Sequence, residues 1–152
     1  MIARAFLLAL SLVVCSACGD EASRPVAAPP APWQTSAKAV LANSADGTYA
    51  ASWEPEGTAL PDAEPFNMRF AVRRADGRAI SAAARMSVDA EMPHHGHGMN
   101  LVPTVTRLGA WNGDELLVAS GMLLHMPGRW VLSLDIEEDG VLERTQWFID
   151  VE

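Results

Sequence analysis

Trp130-Val131-Leu132-Ser133-Leu134-Asp135-Ile136-Glu137, the turn Glu138-Asp139-Gly140, and Arg144-Thr145-Gln146-Trp147-Phe148-Ile149-Asp150-Val151 decide the fold of this chain. In the first run Trp130, Leu132, Leu134 and Ile136 alternate with Val131, Ser133, Asp135 and Glu137. In the second, Thr145, Trp147, Ile149 and Val151 alternate with Arg144, Gln146, Phe148 and Asp150. A period of two turns one row of side chains to a core and the other to water, as in a half-buried strand. Asp139-Gly140 between the two runs is hairpin chemistry, because both residues tolerate positive φ.

The same pattern continues upstream. Thr48 to Trp53 predicts a first strand, and Phe66 to Arg74 places Phe66, Met68, Phe70 and Val72 on one face. Ala75-Asp76-Gly77 reads as a hairpin turn. Arg85 to Ala90, Thr104 to Leu108 and Glu115 to Leu124 complete the set, the last two separated by Trp111-Asn112-Gly113-Asp114. About seven short strands with a turn every 8–12 residues predict an all-β fold, an immunoglobulin-like antiparallel β-sandwich. The Cys-Trp-Cys pattern of true immunoglobulin domains is absent, and no internal repeat is visible.

The first residues read as a processing signal. Arg4 gives a positive start, and the apolar run from Ala5 to Val14 is short for a membrane span. It leads into Cys15-Ser16-Ala17-Cys18-Gly19. Small residues directly before a cysteine resemble a bacterial lipoprotein lipobox, although Cys15 stands where leucine is usual. The resemblance implies a signal peptide over 1–17, a lipid on Cys18 and a membrane anchored through it. The alternative is an ordinary cleaved secretory signal. Gly19, in place of a retention-type aspartate, favours the outer membrane in a periplasm-facing lipoprotein. Residues 18–45, with Ala27-Ala28-Pro29-Pro30-Ala31-Pro32, read as an Ala/Pro-rich tether. Residues 46–152 are then the sandwich domain.

Cleavage before Cys18 would leave one cysteine, already lipidated, so neither a disulfide nor a thiolate ligand is expected. The chain carries a formal charge of −8, one unit more negative once Arg4 is removed. An acidic surface disfavours nucleic acid and anionic lipid as partners.

All four histidines fall in two motifs, Met92-Pro93-His94-His95-Gly96-His97-Gly98-Met99 and His125-Met126-Pro127-Gly128. Imidazole and thioether together suit copper, and imidazole alone also suits zinc or nickel. If the first segment were extended, His95 and His97 would point one way and His94 the other. Gly96 and Gly98 free the backbone to wrap around an ion. The candidate metal ligands are His94, His95, His97 and His125, with Met92, Met99 and Met126 as thioether donors. Both motifs follow strand ends, and strand order decides whether they meet. Each also has a bland reading. The methionines fill the core, His94 and His97 are solvated, and 125–128 is a tight turn. Asp89 and Glu91 either orient imidazole N–H groups or are solvated on an edge strand. Trp130 is either core or a cover over the site.

Met92-Pro93 with its Gly/His loop, then Gly121-Met122 through His125-Met126-Pro127-Gly128-Arg129-Trp130 and the following strand, resemble the YtkA-like family. The resemblance spans roughly Phe66 to Val151 and implies a sandwich of immunoglobulin type outside the cytoplasm. FixH-like proteins, associated with assembly of copper-containing oxidases, share a similar plan. The last two strands faintly resemble a CopC-type copper-resistance sandwich at Gly128, Trp130 and Phe148. The His94-His95-Gly96-His97 run is richer in histidine than the commoner family pattern.

No G-x-S-x-G, P-loop or H-E-x-x-H motif occurs, and no enzyme is expected. The leading expectation is a lipid-anchored extracytoplasmic domain that binds copper and buffers it or passes it to an envelope protein acting as metal donor or acceptor. The alternative is a non-metal interaction module tethered in a membrane-associated complex.

Overall fold

A computed structural model describes residues 41–57 and 59–152. The signal reading over 1–17, the lipidation site Cys18 and the tether as far as residue 40 lie outside the described residues.

The described chain is all-β. Its strands are β1 (Ala42–Asn43), β2 (Tyr49–Pro55), β3 (Phe66–Arg74), β4 (Arg85–Met92), β5 (His97–Gly98), β6 (Thr104–Trp111), β7 (Asp114–Met122), β8 (Gly128–Glu138) and β9 (Val141–Val151). Two antiparallel sheets form, in the orders β1-β2-β3-β7-β6 and β5-β4-β8-β9. Without the two-residue strands β1 and β5, seven remain, in the orders β2-β3-β7-β6 and β4-β8-β9. This is the ABED and CFG arrangement of a constant-type immunoglobulin sandwich. β1 falls within the last residues read as tether, pairing Ala42 with Ala51 and Asn43 with Ala50.

The alternating rows become the core. Trp130, Leu132, Leu134 and Ile136 of β8 are fully buried, and Trp147 and Ile149 of β9 lie beside them. Met68, Phe70 and Val72 of β3 and Leu117 and Ala119 of β7 face them from the other sheet. Phe70 meets Trp147 at 6.1 Å between ring centroids. Each such buried side chain contributes about 1.5–3 kcal/mol relative to exposure. Two bulges adjust the first sheet. Gly121 (φ +82°) is the extra residue opposite the Phe66/Asn67 step, and Leu108 is the extra residue of β6.

One turn differs from its sequence reading. Ala75-Asp76-Gly77 does turn the chain, but β4 joins the other sheet, so this is a crossover and not a hairpin. The Asp76 carboxylate accepts from the Arg78 amide at 3.0 Å, a local Asx turn that says nothing about where the next strand goes. Arg107 Nη1 then holds the crossover by donating to Ser81 O at 2.8 Å and to the Ala82 and Ala84 carbonyls at 3.3 Å.

Strand direction sorts the connections into two groups. Segments 44–48, 75–84, 112–113 and 139–140 gather at one end of the sandwich. Segments 56–57, 59–65, 93–103 and 123–127 gather at the other.

Candidate metal centre

Both histidine motifs stand at the same end. β4 and β8 are antiparallel, with Ala90 opposite Leu132 and Glu91 opposite Val131, so the exit of β4 lies against the entrance of β8. The first motif leaves β4 at Met92, turns, and returns as β5, where His97 pairs with Met92 and Gly98 with Glu91. The His95 amide donates to Met92 O at 3.0 Å, and Gly96 takes φ +63°. The Met99 amide then donates to Ala90 O at 3.1 Å. Because 93–96 is a turn, the extended alternation expected for His94, His95 and His97 does not hold; only His97 lies in a strand. All three imidazoles are exposed.

The second motif is seated more deeply. Leu124 is buried, while His125 and Met126 are half-buried. The His125 ring meets Trp130 edge to face, with centroids 5.6 Å apart and planes at 72°. Trp130 Nε1 donates to Met126 O at 3.0 Å, fixing the turn above it. His125 Nδ1 is buried and has no hydrogen-bond partner among the described residues. A buried ring nitrogen normally finds one. Trp130 is thus both core and a direct neighbour of His125.

The motifs also touch. A Cβ placed on Gly128 would stand 2.8 Å from the Met92 methyl carbon, and Gly128 has φ +123°. Glycine suits the conformation there, and an added Cβ would oblige the Met92 methyl to shift. Met92 is fully buried in the core cluster, as a core filler would be. Met99 and Met126 are partly buried and pack against that cluster. Among the described residues no three His, Cys, Asp or Glu side chains gather closely enough to hold an ion. In this conformation the four imidazoles share one end of the sandwich without forming a cage. The end offers one half-buried imidazole, two half-buried thioethers and three exposed imidazoles on a glycine-bearing turn. Asp89 and Glu91 are exposed on β4.

The opposite end carries a polar cluster that the sequence reading missed. Glu138, nearly buried, accepts from Tyr49 Oη at 2.5 Å, from the Ser81 amide at 2.6 Å and from the Arg74 guanidinium. Glu143, also buried, accepts from Ser44 Oγ at 2.6 Å, and Ser44 Oγ accepts from the Tyr49 amide at 2.9 Å. The Tyr49 hydrogen bond, aided by the Ser81 amide and Arg74, holds Glu138 below its ordinary pKa against the effect of burial. Burial pushes Glu143 upward, but hydrogen bonds from Ser44, Thr48 and Asp46 leave it below its ordinary value. Burial first, then the bond to Glu138, pushes Tyr49 up to about 12. A signal was present: Glu138 and Glu143 stand in phase with the inward rows of β8 and β9.

No family model, curated protein or solved structure matches this chain.

Proposed function

We propose that this chain is a lipid-anchored, periplasm-facing sandwich that binds a copper ion at its histidine end and buffers it or hands it to a partner in the envelope. The observation that carries this reading is the antiparallel β4–β8 pairing, which sets all four histidines at one end with Met92 against Gly128. The donor chemistry supports Cu(I) in particular. Half-buried Met99 and Met126 offer thioethers at the same end as the unpartnered Nδ1 of His125, and soft ligands favour Cu(I). The exposed His94, His95 and His97 would complete or exchange the coordination as the turn moves. The resemblance to YtkA-like and FixH-like sequences supports an envelope role, and the Cys15–Gly19 stretch supports the anchor on Cys18.

The test is titration of the protein with Cu(I) and Cu(II) against a competing chelator. Stoichiometric Cu(I) binding that withstands competition, and that weakens on either His125→Ala or His95→Ala, is the expected result. Binding no tighter than that of a peptide of residues 92–99, or independent loss at the two motifs, would sink the shared site.

A second reading rests on the apolar loop beside the motif. Leu101 is 47% exposed and Val102 94%. Adjacent exposed aliphatic residues fit a docking contact, with the Met-Pro turns as structural corners. A partner captured equally with and without chelator would favour this interaction module.

A further inference from the structure

Unpaired backbone groups along a sheet edge invite another strand, and proteins usually blunt such edges. Among the described residues, three of the four sheet edges are blunted. β1 and β5 are two residues long, and β6 is broken by the bulge at Leu108. β9 differs. It runs for 11 residues, pairs with β8 without a register shift, and contains no proline.

Among the described residues, the outer backbone edge of β9 is engaged at one point, where the Ala45 amide donates to Arg144 O at 3.0 Å. That bond identifies the outward-facing backbone. If Arg144 points outward, the two-residue repeat makes Gln146, Phe148 and Asp150 do so too. Among the described residues, no backbone group outside the β8–β9 ladder bonds to these three. Phe148 is 74% exposed. The charges around it are already compensated. Arg129 pairs with Asp150 at 2.8 and 3.0 Å, and Arg144 pairs with Asp135 at 2.6 and 2.8 Å. The Arg129 guanidinium also lies 5.8 Å from the Phe148 ring centre.

We propose that this edge pairs with the same edge of a second copy, antiparallel about a two-fold axis through Phe148. Ala45 closes the edge at Arg144 and the strand ends at Val151, which leaves residues 145–151 for pairing. The register that uses the whole stretch sets Phe148 opposite Phe148 and Gln146 opposite Asp150, on both sides of the axis. These positions all turn their backbone outward, so each opposed pair is a hydrogen-bonded pair. The two phenyl rings become cross-strand neighbours, and each Gln146 amide meets an Asp150 carboxylate. The interface is isologous and closes at two copies. The four-stranded sheets fuse into one continuous sheet, and the long edge disappears. This pairing stands independently of metal binding.

The test is sedimentation velocity of the full chain in detergent over a range of concentrations, comparing wild type with Phe148→Lys. A monomer–dimer equilibrium is expected, with the dissociation constant raised about tenfold or more by like charges set opposite each other. At concentrations where both proteins are monomeric the thermal midpoint should differ little, because the Phe148 side chain is exposed. In a chain with Cys15 and Cys18 replaced by serine, Phe148→Cys should form a disulfide-linked dimer and Gln146→Cys should not. A wild-type chain that stays monomeric, including one whose own N-terminal residues cover the edge, overturns the proposal. So does a dimer indifferent to Phe148→Lys, or one that cross-links as readily at residue 146.

Discussion

The two ends of the sandwich solve the problem of buried polarity in opposite ways. At one end Glu138 accepts three hydrogen bonds, and Glu143 is held by Ser44 and the residues after it. These bonds tie the first described residues, the crossover after β3 and the β8–β9 turn into one unit. At the other end His125 keeps a buried nitrogen without a partner among the described residues, and three imidazoles stand in solvent on and just after a short turn. The contrast sets a carboxylate fully bonded within the fold beside an imidazole that, on the proposed function, is held for an ion. An unsatisfied buried group costs about 1–3 kcal/mol, which a bound ion would recover. On the proposed function, the polar end is a lock and the histidine end a socket.

Breaking the lock should have the largest effect. Glu138→Ala leaves the Tyr49 hydroxyl and the Ser81 amide without their acceptor and Arg74 with Asp76 alone, and should lower the unfolding free energy by about 3 kcal/mol. Chemical denaturation measures it; a loss no larger than that of an exposed carboxylate would mean that Glu138 is not a structural bolt. Gly128→Ala comes next, at about 2–3 kcal/mol, from contact with Met92 and positive φ together. Combining it with Met92→Ala separates the two causes. Strong non-additivity means that the methyl contact dominates, whereas additive losses assign the cost to the backbone.

pH should sharpen the same contrast. Glu138 and Glu143 have folded values below their ordinary ones, so they add stability above about pH 4.5, and it is lost as pH falls through the folded values. Tyr49 has a raised folded value, so its contribution is complete below pH 10 and lost as pH rises toward about 12. Thermal melts across both ranges should show a decline at each extreme. Glu138→Gln should flatten the acid side, and unchanged acid sensitivity in that variant would place the effect elsewhere. The smallest stability effect belongs to the socket. His125→Ala should shift unfolding by about 1 kcal/mol or less, since it removes an unsatisfied group along with its packing. It should nevertheless weaken Cu(I) binding by about tenfold or more. A large loss of stability without a change in affinity would make His125 a core residue.

Much of the fold was legible because strands with one buried face leave a period of two. Trp130 to Ile136 and Thr145 to Val151 showed it unambiguously, and both rows are buried as the alternation predicts, except for half-buried Val151 at the strand end. What the pattern could not carry was sheet membership. Asp76-Gly77 has the residues of a hairpin turn, yet the next strand crosses to the other sheet, because local turn chemistry contains no information about long-range pairing. At the histidine end the donors were visible as residue types, but their shared location needed the β4–β8 pairing. The turn at 93–96 also removed the alternation on which the orientation of His94 and His95 had rested. At the polar end Glu138 and Glu143 lay in phase with apolar rows. An in-phase carboxylate reads as an exception until Tyr49 and Ser44, from distant sequence, are seen to meet it.

The most direct measurement is an amide correlation spectrum of the protein recorded as Cu(I) is added to one equivalent. The account predicts shifts concentrated in 92–99 and 123–130, including the Trp130 indole N–H, with 44–49 and 138–143 unmoved. Shifts confined to 94–97, with His125 and Trp130 silent, would contradict a site built from both motifs.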